Sequence, residues 1–257
     1  MKKKYGQNFL KNQIIINCII NSSKINEKSI VYEVGPGDGS LTKKIIEKNP
    51  KEFLAIEIDT SLKEKLEKLF LKKNHKLIFG DALKFNENIY FKKNVIIIGN
   101  LPYNISLKLL TKWIFQYLSN NWFDEMVLMF QKEVGERLTS LKNSKKYGRI
   151  TLLTSSIFEV KKILDINKKD FYPSPKVDSV LLSFKPLKKP FFNSSNIYKL
   201  EYLTKTFFSN RRKKIKNKII KIFDQTIIDK YNLKQYYDLR AENIDKNIFF
   251  FLAKLIN

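Results

Sequence analysis

The chain has 257 residues, 43% of them hydrophobic, which suffices for one large domain or a medium domain with a small one and argues against disorder. Lys and Arg number 49 against 25 Asp and Glu, a formal charge of +24 that implies a polyanionic partner, most often nucleic acid; codon bias toward Lys would explain part of the Lys count but not its clustering. A single cysteine, Cys18, and a single histidine, His75, exclude an intrachain disulfide and a Cys/His zinc site, and leave little room for serine–histidine catalysis. No apolar run reaches the roughly 18 residues of a membrane span. The opening MKKKYGQNFLKNQIIINCII is basic and then apolar, but Gln, Asn and Lys interrupt it and no small-residue cleavage site follows, so a cytoplasmic protein is expected.

In chain order, Lys2, Lys3 and Lys4 form a short basic arm, either a phosphate contact or a solvated tail. A first helix follows, with Cys18 on its apolar face. SIVYEVG (29–35), FLAIEID (53–59), KLIFGD (76–81), NVIIIGN (94–100) and MVLMFQ (126–131) read as short buried strands ending in Gly, Asp, Asn or Gln. Between them SLTKKIIEKN, SLKEKLEKLFLKK and ISLKLLTKWIFQYL space apolar residues at helical intervals. His75, between Asn74 and Lys76, reads as a surface residue. The alternation predicts a mostly parallel sheet with helices on both faces, whose ligands bind outside the carboxyl ends of the strands. FEVKKILDI (158–166) and VDSVLLSF (177–184), joined by NKKDFYPSPK, predict a hairpin at one sheet edge. KPLKKPFFNSSN (185–196) reads as a linker, and 197–257 shows only helical periodicity. The expected organisation is an α/β domain over 1–186 and a small all-helical domain over 187–257.

VYEVGPGDGSLT (31–42) carries the strongest local signal. The chain has 8 glycines, and Gly35, Gly37 and Gly39 fall together between a strand and a helix, where glycine allows a sharp turn and close approach to a ligand. Glu57 then ends the next strand, at the distance where an acid binds ribose hydroxyls in such sites. A further strand ends in Asp81, an acceptor for an adenine amino group. The spacing is not Gly-x-Gly-x-x-Gly, no Lys-Ser/Thr follows, and Asp38 inside the loop would repel a pyrophosphate. The set therefore suits a nucleoside without phosphates, such as S-adenosylmethionine; a plain glycine-rich turn with surface acids is the alternative.

GNLPYNIS (99–106) places Asn100, Leu101, Pro102 and Tyr103 at a strand end beside that cleft. An aromatic amine is a poor nucleophile because its lone pair is delocalised into the ring. The Asn100 side-chain carbonyl and a backbone carbonyl at Leu101 or Pro102 would hold its two N–H bonds and direct the lone pair at a methyl sulfonium, with Pro102 fixing the backbone. Tyr103 would stack on a flipped-out base.

Asn-Leu-Pro-Tyr resembles a motif of amino-group methyltransferases acting on adenine in nucleic acid. Taken together, YGQNFL, EVGPGDGSLT, IEID, GDAL, GNLPYNIS, FQKEVGERL, YGRI, FYPSPKVDSV, FFSNRRKKIKNKI and LRAENI resemble the bacterial small-subunit (16S) ribosomal RNA adenine dimethyltransferases, from about residue 3 to the end. The resemblance implies a Rossmann-like, S-adenosylmethionine-dependent methyltransferase domain followed by a helical domain. It implies Asn8 and Leu10 as amino-terminal cofactor contacts, Gly35 (with Gly37 beside it), Glu57 and Asp81 as cofactor ligands, and Asn100 as a residue touching both cofactor and amine. It implies Phe171 as an aromatic stacking on the base opposite Tyr103. The implied substrate is a pair of adjacent adenines near the 3′ end of 16S rRNA in a small (30S) subunit assembly intermediate, with no membrane and no metal; a monomer is expected. Tyr103 and Phe171 taken singly also read as core aromatics, in a chain with 20 Phe and 12 Tyr.

Arg211, Arg212, Lys213, Lys214, Lys216, Lys218 and Lys221 follow TFFSN and read as an RNA phosphate contact, or else as a solvated helix face. Rival functions are dimethylation of large-subunit (23S) rRNA, as in macrolide resistance, DNA adenine methylation, and a non-catalytic assembly or transcription factor on the same fold.

Overall fold

The computed structural model describes residues 7–256; the Lys2–Lys4 arm lies outside them. Short elements come first: β1 (Phe9–Leu10) and α1 (Gln13–Ser22), the helix capped by Asn12, whose side chain accepts from the Ile14 and Ile15 amides. The α/β alternation then runs β2 (Ile30–Val34), α2 (Ser40–Glu47), β3 (Glu52–Glu57), α3 (Lys63–Glu67), β4 (His75–Phe79), α4 (Glu87–Tyr90), β5 (Val95–Asn100), α5 (Ser106–Asn120) and β6 (Phe123–Gln131). After α6 (Lys132–Leu138) and α7 (Arg149–Ser155) come β7 (Phe158–Ile166), β8 (Phe171–Tyr172) and β9 (Ser179–Pro186).

Seven strands form one sheet in the order β4-β3-β2-β5-β6-β9-β7. The first five are parallel, and β9 turns antiparallel against β6. The mostly parallel sheet with β9 and β7 side by side at one edge is the architecture expected. Strand alternation sends neighbouring side chains to opposite faces. Val31 joins Ile16, Ile19 and Ile20 of α1 and Leu41 and Ile45 of α2 in one core cluster. Tyr32 packs on Trp113 of α5 and on Phe85, Phe91 and Trp122 on the other face. β1 stands apart and pairs antiparallel with β8.

Three local readings are corrected. His75 is 5% exposed and packs edge-on against Phe53, because β4 carries it inward beside β3. The helix expected over 61–73 stops at Glu67; beyond it the chain delivers Leu69 against the Gly39 turn and stacks Phe70 on Phe53, which a continued helix would not allow. The 185–196 segment is pinned rather than free, with Leu187 and Phe191 donating to the Ile157 and Ser156 carbonyls and Phe192 buried against Phe250.

The chain divides into two compact units, 1–135 with 161–186, and 136–160 with 187–257. Residues 136–160 group with the carboxyl-terminal part. The hydrogen bonds just named explain this, since Ser156 and Ile157 are bound by the segment that opens that part. Its remaining helices are α8 (Ile197–Phe208), α9 (Lys216–Ile222), α10 (Gln225–Lys230) and α11 (Lys246–Lys254). Their core is aromatic: Phe207, Phe208 and Tyr147 all contact Phe249.

At Gly99 an added Cβ would stand 2.8 Å from the Val34 carbonyl oxygen and 3.3 Å from a Leu101 methyl. Gly99→Ala is therefore expected to force β5 and β2 apart and cost about 1–3 kcal/mol, read as a lower urea midpoint.

Candidate active site at the carboxyl ends of the strands

The site grows from the glycine turn. Gly35, Gly37 and Gly39 hold φ of +72°, +57° and +82°, the left-handed region that a Cβ penalises. At Gly37 a Cβ would also strike the Phe9 ring, at 2.8 Å. The β3 end secures this turn: the Gly35 amide donates to the Ile56 carbonyl at 2.9 Å, and the Gly37 amide donates to Glu57 Oε2 at 3.0 Å. Glu57 Oε1 accepts from the Asp59 amide at 2.9 Å. Burial raises the Glu57 carboxyl, and these backbone donors oppose the rise.

One cleft is lined by Asn8, Phe9, Leu10, Gly35, Gly37, Glu57, Asn100, Leu101, Pro102 and Tyr103. The amino-terminal segment forms its wall. Gln7 donates to Asp59 at 3.0 Å, Lys11 pairs with Asp38 at 2.6 Å, and Asn12 donates to Asp170 at 2.8 Å. Asn100 Nδ2 donates to the Asn8 carbonyl at 2.7 Å. Two oxygens would repel there, so this contact fixes which end of the amide is nitrogen. The Pro102 carbonyl accepts from the Ile105 and Ser106 amides, both at 3.1 Å, and so closes the turn into α5. The Tyr103 hydroxyl is bonded to Ser179 Oγ at 2.6 Å, and burial raises its pKa.

Sequence reasoning missed Glu33. It is 1% exposed, lines the cleft and accepts from the Thr42 hydroxyl at 2.7 Å. Burial, with Glu57 and Asp38 adding, outweighs the Thr42 hydrogen bond and pushes its carboxyl up to about 8. The signal was present in the sequence, as an acid just before the glycine turn. Asp38 is also raised by burial, but bonds from Lys11 and Ser40 win and hold it low. A chain of formal charge +24 thus surrounds this one cleft with Glu33, Asp38 and Glu57. That donor set disfavours phosphates and fits a cationic nucleoside, the character of S-adenosylmethionine.

Two named residues lie elsewhere. Asp81 follows β4 at the same sheet end, its Oδ1 accepting from the Leu83 amide at 2.8 Å, but it is not in the cleft lining. Phe171 is 4% exposed, belongs to a core cluster and is likewise not in the cleft lining. In the β1–β8 register it stands opposite Leu10, a cleft-lining residue of the same core cluster.

The basic run is also divided. Arg211 donates to the Tyr147 carbonyl at 2.8 Å and pairs with Glu242 at 3.1 Å. Lys214 pairs with Asp238 at 2.6 Å. Lys218 donates to the Phe207 and Asn210 carbonyls at the end of α8, at 2.5 and 3.1 Å, and burial lowers its pKa. Arg212 and Lys213 are exposed, as is Lys216, whose ammonium stands 5.8 Å from the Tyr237 ring.

Because Glu33 holds its proton more tightly folded than unfolded, its contribution to stability is complete below its ordinary 4.5 and is lost as pH rises through about 8. The ligand-free protein should lose urea resistance between about pH 5 and pH 9, by at most about 1.4 kcal/mol per unit, relative to Glu33→Gln. Parallel pH profiles for the two proteins would refute this.

A family model described as ribosomal RNA adenine dimethylase matches residues 1–255. A protein of Pelagibacter ubique named ribosomal RNA small subunit methyltransferase A is 41% identical over 255 residues, spanning 98% of this chain and 95% of its own. A protein of the same name from Borreliella burgdorferi is 42% identical over 260 residues, spanning 100% and 89%. Among solved structures, a dimethyladenosine transferase from Plasmodium falciparum matches with a TM-score of 0.82 at 29% identity over 95% of each chain. The 23S rRNA methyltransferase ErmE shares the fold, with a TM-score of 0.71 at 21% identity over 96% of this chain and 100% of its own. With its glycine turn and Asn100 loop set about one cleft, this chain belongs to the ribosomal RNA adenine dimethylase family.

Proposed function

We propose that this protein dimethylates the N6 amino groups of two adjacent adenines near the 3′ end of 16S rRNA in the cytoplasm, on a late small-subunit (30S) assembly intermediate. S-adenosylmethionine supplies the electrophilic methyl group. The observation that carries the reading is the orientation of Asn100: its nitrogen is spent on the Asn8 carbonyl, so Oδ1 is the end left to accept from a target amine. The Pro102 carbonyl is engaged by two amides, so the Leu101 carbonyl is the second acceptor. Two acceptors draw the amine lone pair out of conjugation and aim it across the cleft. The proton leaves after the methyl arrives, so no general base is needed. Tyr103 offers its ring to the extruded base, with its hydroxyl anchored on β9.

On the helical unit, Arg212, Lys213 and Lys216 are the phosphate contacts, while Arg211, Lys214 and Lys218 hold that unit together. The names of the relatives from Pelagibacter and Borreliella, and the unbroken Asn-Leu-Pro-Tyr motif, favour a catalyst on the small subunit over the large-subunit and non-catalytic readings.

The deciding experiment is transfer of labelled methyl groups to unmethylated small and large subunits, with each label mapped to its nucleotide. We expect N6,N6-dimethyladenosine at two neighbouring adenines of the small subunit. Asn100→Ala should cut transfer by about 100-fold or more with a much smaller loss of cofactor affinity. Label only on large subunits, or none with tight subunit binding, would replace the reading. Neutralising Arg212, Lys213 and Lys216 together should lower the slope of log affinity against log salt by about 2–3. Lys218→Gln should reduce stability and leave that slope unchanged.

A further inference from the structure

Asp81 sits outside the cleft lining, on a loop whose placement needs an explanation. The segment from Ala82 to Glu87 is stapled to α5 by one ammonium group. Lys112 Nζ donates to the Ala82 carbonyl at 2.8 Å, to the Phe85 carbonyl, and to the Glu87 carboxylate at 3.0 Å. Glu87 is fully buried and also accepts from Trp113 Nε1 at 2.8 Å and Gln116 Nε2 at 2.9 Å. Lys112, Trp113 and Gln116 all belong to α5, which begins at Ser106, where the Asn100–Tyr103 turn closes. The loop also rests on aromatic rings, with Phe85 stacked at 4.9 Å from Tyr90 and 5.8 Å from Tyr32. A buried carboxylate with three side-chain donors and an ammonium with three acceptors is costly to assemble and rigid once satisfied.

We infer that Lys112 and Glu87 are positioning residues that hold Asp81 at the cofactor's adenine ring and fix that acceptor relative to the Asn100 turn through α5. The inference rests on Asp81 being the adenine acceptor. The Ala82 carbonyl is the link: it adjoins Asp81, so the Lys112 bond sets the direction from which the carboxylate leaves the chain. Ionic strength has little access to the staple, since Glu87 is fully buried and Lys112 is 19% exposed.

The test is calorimetric binding of S-adenosylhomocysteine and of S-inosylhomocysteine, which lacks the amino group that Asp81 would accept from. Lys112→Met and Glu87→Gln should weaken S-adenosylhomocysteine binding about tenfold, leave S-inosylhomocysteine nearly unchanged and so shrink the preference between them. Lys112→Arg should restore much of it. Turnover at saturating cofactor should change little, with the loss appearing in KM. A general loosening would weaken both ligands alike and would overturn the inference. Asp81→Asn separates the two levels. If it leaves the preference intact, the adenine role of Asp81 fails; if it removes the preference while both staple variants keep it, the staple fails. Should Lys112→Met not fold, Glu87→Gln, which keeps the side-chain volume, decides alone.

Discussion

Everything at this site depends on how closely β2 and β5 approach. Gly99 leaves no space for a side chain beside the Val34 carbonyl, and the missing Cβ of Gly35 would stand 3.8 Å from Pro102 and 3.9 Å from the Asn100 carbonyl. Two turns that serve different chemistry, one cradling a nucleoside and one presenting an amine acceptor, can therefore share a wall. A methyl must pass directly between donor and acceptor, so the strand spacing of a parallel sheet sets the distance over which the reaction runs. Side chains on longer loops would not hold it so tightly.

The second organising force is charge. A surface dominated by Lys and Arg draws in a polyanion, while Asp38 and Glu57 make the cleft locally acidic. The two fields sort the ligands, with phosphodiesters held outside and a cation admitted. Burial of Glu33 lets the cleft carry a neutral carboxyl when empty without the cost of an isolated buried anion.

Sequence showed the sheet because each buried strand is a short apolar run closed by a polar residue, and the turn because three glycines crowd one place. The Asn100 turn was legible in its four residues. What sequence could not show depends on pairing. β1 and β8 are two residues each, too short for any periodicity, yet their pairing sets Phe171 opposite Leu10. The basic run looks uniform in one dimension, whereas Arg211, Lys214 and Lys218 find partners at Tyr147, Asp238 and Phe207, distant in the chain. His75 was misread because two polar neighbours outweighed its place on β4. The grouping of 136–160 with the carboxyl-terminal part follows main-chain bonds from Leu187 and Phe191, which no local pattern displays.

The ladder between β1 and β8 also bears on how the protein is made. Phe9 and Leu10 are synthesised before the sheet, and their partners Tyr172 and Phe171 follow only after most of it. A contact cannot form before both its strands exist, and closing so long a loop is slow. The sheet and its glycine turn can assemble first, with the wall over Gly37 still open. Competence to hold the nucleoside thus waits for β8, and it is set by a pairing that spans the α/β unit rather than by the later helical unit.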